Sequence, residues 1–311
     1  MLADPDDKRS GASAARGTGE ARPSSGSGTV ALDTNALAYS GRALDAATQA
    51  ASVRRWGWWF QAEWRLRSMK AYWTSVIGSA LLTPLLYVAA MGIGLGSLVD
   101  ANAGGVDGVA YLTFVAPGLL VSTVVMSGTN ELSYPVMGGF KWQRLYYARA
   151  TTAASPQQVA LGELLAVFLR LLAEALVFYV VLVVMGAVRP GWSVLMVPVA
   201  GLAGMAFGAP LGAYAATMEN EGPEFALIQR FVVMPMFLFA GTFFPLASMP
   251  VYLQWVGWIS PMWHGTQLAR AVGFGLPLTG AEVLGHLAFL VGLTAVGVWL
   301  ATRSFVARLG R

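Results

Sequence analysis

The chain has 311 residues, of which 56% are hydrophobic and only 12% charged, with 20 Lys and Arg against 16 Asp and Glu. A soluble domain carries roughly a quarter charged residues, so these charges are too few to coat a water-facing surface of this size. Cysteine is absent and the histidines are His264 and His286, which excludes disulfides, thiolate metal sites, cysteine nucleophiles and an HExxH zinc helix.

Residues 1–51 are rich in Gly, Ala, Ser, Asp and Arg and follow no helical or strand period. Such a segment buries too little apolar area to offset its backbone entropy, so a disordered tail is expected. It has no basic start, apolar core and small-residue cleavage site in series, so no cleaved leader is expected. The composition then changes abruptly. Trp56, Trp58, Trp59 and Trp64 are mixed with Arg54, Arg55, Arg65 and Arg67. Indole rings half bury in the headgroup layer of a membrane while guanidinium groups reach phosphate. Trp56, Trp59 and Phe60 share a helical face that Glu63 and Arg67 interrupt. Two placements fit: an interfacial helix, or a helix packed on the ends of a bundle.

Stretches free of Asp, Glu, Lys and Arg organise the remainder, at 71–99, 108–130, 190–218, 231–269 and 283–302. A helix needs about 20 mostly apolar residues to cross the roughly 30 Å hydrocarbon core. Pro245, Pro250 and Pro261 break the fourth stretch, which is too long for one crossing. A further span between Gln158 and Val188 is interrupted by Glu163, Arg170 and Glu174. The expectation is an all-α polytopic membrane protein in which residues 52–311 form one transmembrane domain. Its six spans fall at about 71–98, 109–131, 159–187, 192–217, 228–247 and 282–303. An interfacial helix precedes the first span, and short re-entrant helices on the outer face separate the fifth from the sixth. Arg54, Arg55, Arg65, Arg67 and Lys70 then share one side with Lys141, Arg144, Arg149, Arg230, Arg303, Arg308 and Arg311. Only Arg189 and Arg270 take the other. The Lys/Arg asymmetry of the loops places both termini in the cytoplasm, in the inner or plasma membrane.

Enzymatic motifs are missing. A Walker A loop needs glycine before its lysine, whereas Lys8, Lys70 and Lys141 follow Asp7, Met69 and Phe140. Gly92, Gly94 and Gly96 end an apolar span with no strand before them, and no GxSxG elbow occurs. The chain is expected to be no enzyme and to bind no metal, cofactor or nucleic acid. If ATP drives it, the ATPase is another polypeptide.

Glu163, Arg170 and Glu174 stand seven and four residues apart, on one helical face, with Arg170 roughly 10 Å further into the span than Glu163. A charge at that depth requires a partner. The three fit a substrate or coupling element, an internal ion pair that fixes helix packing, or a proton relay. Ala200, Gly204, Gly208 and Gly212 recur every four residues and suit close helix approach, within the bundle or between subunits. In the segment 138–155, Trp142, Leu145 and Tyr146 share a face beside Lys141 and Arg144. That pattern fits insertion into a cleft of a soluble partner or anchoring on anionic headgroups. The proline-bounded helices after Pro250 are too short to cross and form a cap. His264 is expected to be a hydrogen-bonded structural residue.

Phe237-Leu238-Phe239-Ala240-Gly241-Thr242-Phe243-Phe244-Pro245-Leu246, then Met249-Pro250, Ser260-Pro261-Met262-Trp263-His264 and Leu268-Ala269-Arg270, resembles the signature of the type-2 ABC exporter permeases. Glu131 to Trp142 (ELSYPVMGGFKW) is similar to the branch containing nodulation-factor (lipo-oligosaccharide) and daunorubicin-resistance permeases. The resemblance covers about residues 52–311. It implies a permease half that pairs with a second copy or a sister permease and binds separate ATP-binding subunits, which hold the ATP and Mg. It implies ATPase coupling through Trp56, Trp59, Arg67, Lys141, Trp142, Arg144 and Arg149. It also implies a path lined by Ser122, Met126, Phe237 and Phe244 for an amphipathic drug or lipid-linked oligosaccharide, with outer helices at Val251–Ser260 and Met262–Val272. The alternatives are an ion-driven secondary transporter coupled through the Glu163–Arg170–Glu174 face and a membrane scaffold without transport.

Overall fold

The computed structural model describes residues 46–69, 78, 82 and 85–310. Residues 1–45 of the expected tail, Lys70, most of the start of the first expected span and Arg311 lie outside the described residues. Among the described residues every regular element is helical, and the one β-bridge, Val106 to Val109, is isolated.

Helix α1 (Ala46–Met69) begins a few residues before the boundary expected for the tail. Its two faces behave differently. Gly57, Ala62 and Arg65 turn toward the bundle, while Trp56, Trp59, Phe60 and Trp64 are exposed. The helix is thus packed on the bundle along one face and leaves its tryptophan face uncovered. The packed face is close. A Cβ at Gly162 would stand 2.7 Å from the Trp58 carbonyl, and Gln158 Nε2 donates to the carbonyls of Val53 and Arg54 at 3.0 and 2.9 Å.

Among the described residues, five helices are long and apolar enough to cross a membrane: α2 (Leu85–Ala103), the run Tyr111–Lys141, α6 (Pro156–Val184), the run Trp192–Thr217 and α11 (Gly280–Leu309). Helix α2 passes through a π-helical stretch, Ala89–Leu95, where the expected GxGxG lies, and ends where Gly104 takes φ +67°. The run from Tyr111 bends at Ser133, which divides α3 (Tyr111–Leu132) from α4 (Tyr134–Lys141). After a left-handed residue at Arg144 comes α5 (Leu145–Ala150). Helices α6 and α11 start where Ser155 and Thr279 form capping boxes with Gln158 and Glu282, each side chain satisfying an N–H that the helix leaves orphaned. Helix α11 extends past the expected end at 303, so Arg303 and Arg308 stand on the helix itself. Arg308 donates to the carbonyls of Ala216 and Met218 at 2.7 and 2.8 Å, capping the C-terminus of α7 (Met196–Thr217) with a cation.

The expected span 228–247 differs most. Glu224–Ile228, a π-turn Gln229–Val233 and Met234–Phe239 run together as α8 and stop at Ala240. That helix is shorter than a straight crossing requires. Gly241 takes φ +76°, a conformation that suits glycine because it has no Cβ to clash. Helices α9 (Val251–Trp258) and α10 (Pro261–Phe274) follow, both too short to cross.

The stripe of small residues on α7 is a contact inside the bundle. A Cβ at Gly128 of α3 would lie 2.7 Å from the Gly204 carbonyl, and one at Gly208 would lie 3.0 Å from the Gly128 carbonyl. Without side chains the two backbones approach closely, which is how helices associate where no hydrophobic drive exists.

Candidate functional site

A chain of charges joins four elements at the end of the bundle where α1, α5 and the start of α6 meet. Glu163 is buried, with Oε2 2.8 Å from Arg149 Nη1 and Oε1 2.9 Å from Arg65 Nε. Arg65 Nη2 lies 3.6 Å from Glu131 Oε2 at the end of α3. Glu131 Oε1 in turn pairs with Arg170 Nη1. Arg149 also donates from Nε to Gln61 Oε1 at 2.6 Å, and its guanidinium lies over Trp64 and Tyr146 at 5.1 and 5.6 Å. Burial, with Glu163 adding to it, holds the Tyr146 phenol well above its usual range, so it remains a donor toward that carboxylate.

Glu163, Arg170 and Glu174 do lie along one helix, but their partners stand on other elements, Glu163's on α1 and α5 and those of Arg170 and Glu174 both on α3. Glu163 binds Arg149 and Arg65, Arg170 binds Glu131, and Glu174 accepts from Ser127 Oγ at 2.6 Å. The ion pairs therefore tie α6 to its neighbours rather than closing on themselves. No described cavity is bordered by all three.

Two recesses adjoin this network. One of about 430 Å³ is bordered by Arg65, Tyr134, Trp142, Tyr146 and Glu163. The other, of about 300 Å³, has Tyr87, Met126, Ser127, Glu174 and Phe237 on its walls. Of the path residues expected from sequence, Met126 and Phe237 thus face one cavity. Ser122 is fully buried and hydrogen-bonded to Thr242 at 2.9 Å, and Phe244 is 39% exposed and borders neither recess. An apolar cleft of about 600 Å³ on the opposite flank of α8 runs between Phe207, Tyr214, Phe231 and Trp255.

The expected coupling residues separate into exposed and anchored groups. Trp142 and Arg144 are exposed and Lys141 is half-buried. Trp142 Nε1 donates to Glu221 Oε1 at 2.7 Å and Lys141 Nζ stands 3.1 Å from the same oxygen. Trp142, then Lys141, hold the Glu221 carboxyl below its usual range. Arg149 is 6% exposed and points inward. Trp56 and Trp59 are on the outer face of α1, where Arg67 pairs with Glu63 one turn away. Phe305 packs edge to face on Phe140 and Tyr146 with centroids 4.8 and 4.9 Å away, and those two rings tilt against each other at 4.6 Å, fastening α4 and α5 to α11.

At the other end of the bundle, the loop after α8 is clamped. Arg270 of α10 is buried and donates to the carbonyls of Gly241 and Thr242 at 2.8 and 3.2 Å and to that of Phe114 at 3.2 Å. Tyr111 Oη donates to the Phe243 carbonyl at 3.2 Å. A Cβ at Gly118 would sit 3.0 Å from the Thr242 carbonyl, so the loop presses directly on α3. These contacts bring Gly241, Thr242 and Arg270, all within the quoted motif, together in space.

His264 and His286 face each other with Nδ1 atoms 2.8 Å apart, and His264 Nε2 lies 3.0 Å from the Trp258 carbonyl. A carbonyl only accepts, so Nε2 carries the hydrogen. A neutral His264 then accepts at Nδ1 from His286. Burial lowers the His264 pKa below the ordinary 6.5, outweighing the Trp258 carbonyl, and His286 lowers it further. Among the described residues, the carboxylate whose charge acts on the pair is Glu282, through His286. Between the depressed folded pKa and the ordinary 6.5, the folded state holds fewer protons than the unfolded one. This contribution is therefore present above about pH 6.5 and lost as pH falls. The melting temperature of the purified protein, followed by tryptophan fluorescence, is expected to drop by a few degrees from pH 7.5 to 5.5. In His264→Phe that drop should be smaller; an unchanged slope would remove the pair from the account.

Sequence patterning did not single out Glu131, Gln61, Ser127 or Glu221 as site residues, and it read Arg65 only as one of the arginines of the headgroup layer. Glu131 sits in the quoted motif, and its charge at the end of an apolar span was the one available signal.

The sequence profile of the ABC-2 type transporter family matches residues 58–274. The chain is 29% identical over 255 residues to Nodulation protein J of Rhizobium leguminosarum bv. viciae, spanning 80% of this chain and 95% of that protein. Nodulation protein J of Rhizobium meliloti is 29% identical over 258 residues, with 81% and 95% spanned. That of Sinorhizobium fredii is 26% identical over 257 residues, with 82% and 94% spanned.

Proposed function

The chain belongs to the ABC-2 type transporter family, and on that premise we propose that it is the permease half of an ATP-driven exporter moving an amphipathic drug or lipid-linked oligosaccharide out of the cell. It is a multi-pass membrane protein of the ABC permease type. In this reading α8 and the clamped loop after it make a sixth crossing, and α9 and α10 lie at the outer face. Both termini then face the cytoplasm, across the inner or plasma membrane. A separate ATP-binding subunit holds ATP and Mg, and a second copy or a sister permease completes the transporter.

The observation that carries the reading is the elbow at 134–150. It presents Trp142 and Arg144 to solvent while Arg149, on its inner side, is bonded to Glu163 and Gln61. A partner pushing on the exposed side moves α1 and α6 through Arg149. Lys141, Trp142 and Arg144 are then the docking residues, Arg149 transmits, and Trp56, Trp59 and Arg67 carry the motion along the membrane surface. Met126 and Phe237 contact the cargo within the bundle, with Ser122 and Phe244 further along the same path.

Lys141→Glu combined with Arg144→Glu places like charges at the docking face, a juxtaposition that costs several kcal/mol. Capture of the ATP-binding subunit on purification is expected to fall by about tenfold or more. Capture at the wild-type ratio would overturn the docking assignment. Stimulation of the complex's ATPase across drugs and glycolipids then tests the cargo class.

A further inference from the structure

Among the described residues, only Glu131 and Arg170 border both the 430 Å³ recess beside the elbow and the 300 Å³ recess inside the bundle. Their ion pair is the wall the two spaces share. Each member also has a second partner within reach. Glu131 has Arg65 at 3.6 Å. Arg170 has Glu174 one turn further along its own helix, at the spacing where side chains meet. If Arg170 leaves Glu131 for Glu174, Glu131 retains Arg65 and Arg170 gains a carboxylate. Neither charge is stranded, which is what makes the breaking of a buried pair expensive.

We propose that Glu131–Arg170 is an internal gate on the transport path, opened when Arg170 exchanges Glu131 for Glu174. The proposal rests on the permease reading and adds to it the residues that separate entry from the interior. The gate is wired to the elbow, because Glu131 shares Arg65 with Glu163, and Glu163 holds Arg149. Motion at α5 therefore reaches the gate through two guanidinium groups without any contact with cargo. Beyond it, the inner recess is lined by both polar residues, Ser127, Asn130 and Glu174, and large apolar or aromatic ones, Tyr87, Met126 and Phe237.

The chain has no cysteine, so a single introduced thiol reports on its own position. Met126→Cys reads the inner recess and Gln143→Cys the outer one, in inside-out membrane vesicles treated with a membrane-impermeant anionic methanethiosulfonate. A closed state whose open form is populated at about 10% or less predicts that Met126→Cys reacts at least about tenfold more slowly than Gln143→Cys. Adding Arg170→Gln should accelerate Met126→Cys by about tenfold, whereas Arg170→Lys, which keeps the pair, should leave it slow. Loss of a positive charge by itself slows an anionic reagent, so acceleration cannot be an electrostatic by-product. Glu174→Gln, which removes the alternative acceptor, should slow Met126→Cys further.

Gln143→Cys in the Arg170→Gln background checks folding, since its rate should not change. If that variant fails to fold, Glu131→Gln breaks the same pair and must give the same acceleration with a cationic reagent. An unchanged Met126→Cys rate beside a normal Gln143→Cys rate overturns the gate. Labelling needs neither cargo nor an ATP-binding subunit, so that result would leave the permease reading standing. Loss of the permease reading would show instead as failed partner capture with the labelling pattern intact.

Discussion

Arg270→Met is expected to unfasten the end of the bundle opposite the elbow. Three carbonyls lose their donor, two of them, Gly241 and Thr242, in a segment with no helical ladder to satisfy them. Each buried polar group left unpaired costs about 1–3 kcal/mol, so the loss is on the order of 3 kcal/mol or more. Opposing this is the desolvation of the guanidinium, which removal relieves. Burial lowers the Arg270 pKa to about 9, so the side chain is still charged at neutral pH. The three hydrogen bonds and the stacking on Phe114 at 3.7 Å offset the desolvation only while the planar fork keeps its geometry. Arg270→Lys retains the charge and loses the fork, and should therefore be at least as damaging as Arg270→Met. Thermal unfolding in detergent and the monodisperse fraction on gel filtration measure both. A lysine variant with wild-type stability would show that the charge alone suffices.

Glu163→Gln should do comparable damage at the other end. It leaves Arg65 and Arg149, both held by the same carboxylate at 2.9 and 2.8 Å, facing each other in a buried setting. Breaking such a cluster from one side costs about 3–5 kcal/mol because an uncompensated charge stays buried. Helices α1 and α5 then lose their anchor on α6, so amide exchange in α1 should quicken more than in α7. Adding Arg149→Gln removes one of the stranded cations. The double variant should be less destabilised than the sum of the two singles, by about 0.5–3 kcal/mol. Simple additivity would mean that Glu163 and Arg149 act separately.

How far such residues can be found from sequence depends on the range of the interaction. Spans α6, α7 and α11 are legible because one helix satisfies its own backbone, and lipid demands a long apolar surface of it. The structure starts α6 and α11 just after Ser155 and Thr279, which cap within three residues, a few residues ahead of the starts expected at 159 and 282. The four-residue stripe on α7 is equally local, although its partner, Gly128, is not. The span expected at 228–247 illustrates the opposite case. Apolar content continues beyond Phe239, but the helix stops at Ala240 because Arg270, Tyr111 and Ser122 hold the following loop. Those side chains lie 28 to 132 residues from their acceptors, a separation that no local period can register.

Composition, the charge-free stretches and the placement of lysine and arginine were enough to determine a helical membrane protein, with α1 and the elbow at its basic end, because hydrocarbon excludes charge whatever the fold. The motif residues carried the family. Tertiary structure alone decided which charge meets which. Glu163, Arg170 and Glu174 share one helical face, yet Glu163 pairs with α1 and α5 and the other two with α3, since a polar partner is chosen by distance in space and helix packing sets that distance. The same packing made Glu131, along the chain only the charge that closes an apolar span, meet Arg170 where the two recesses adjoin.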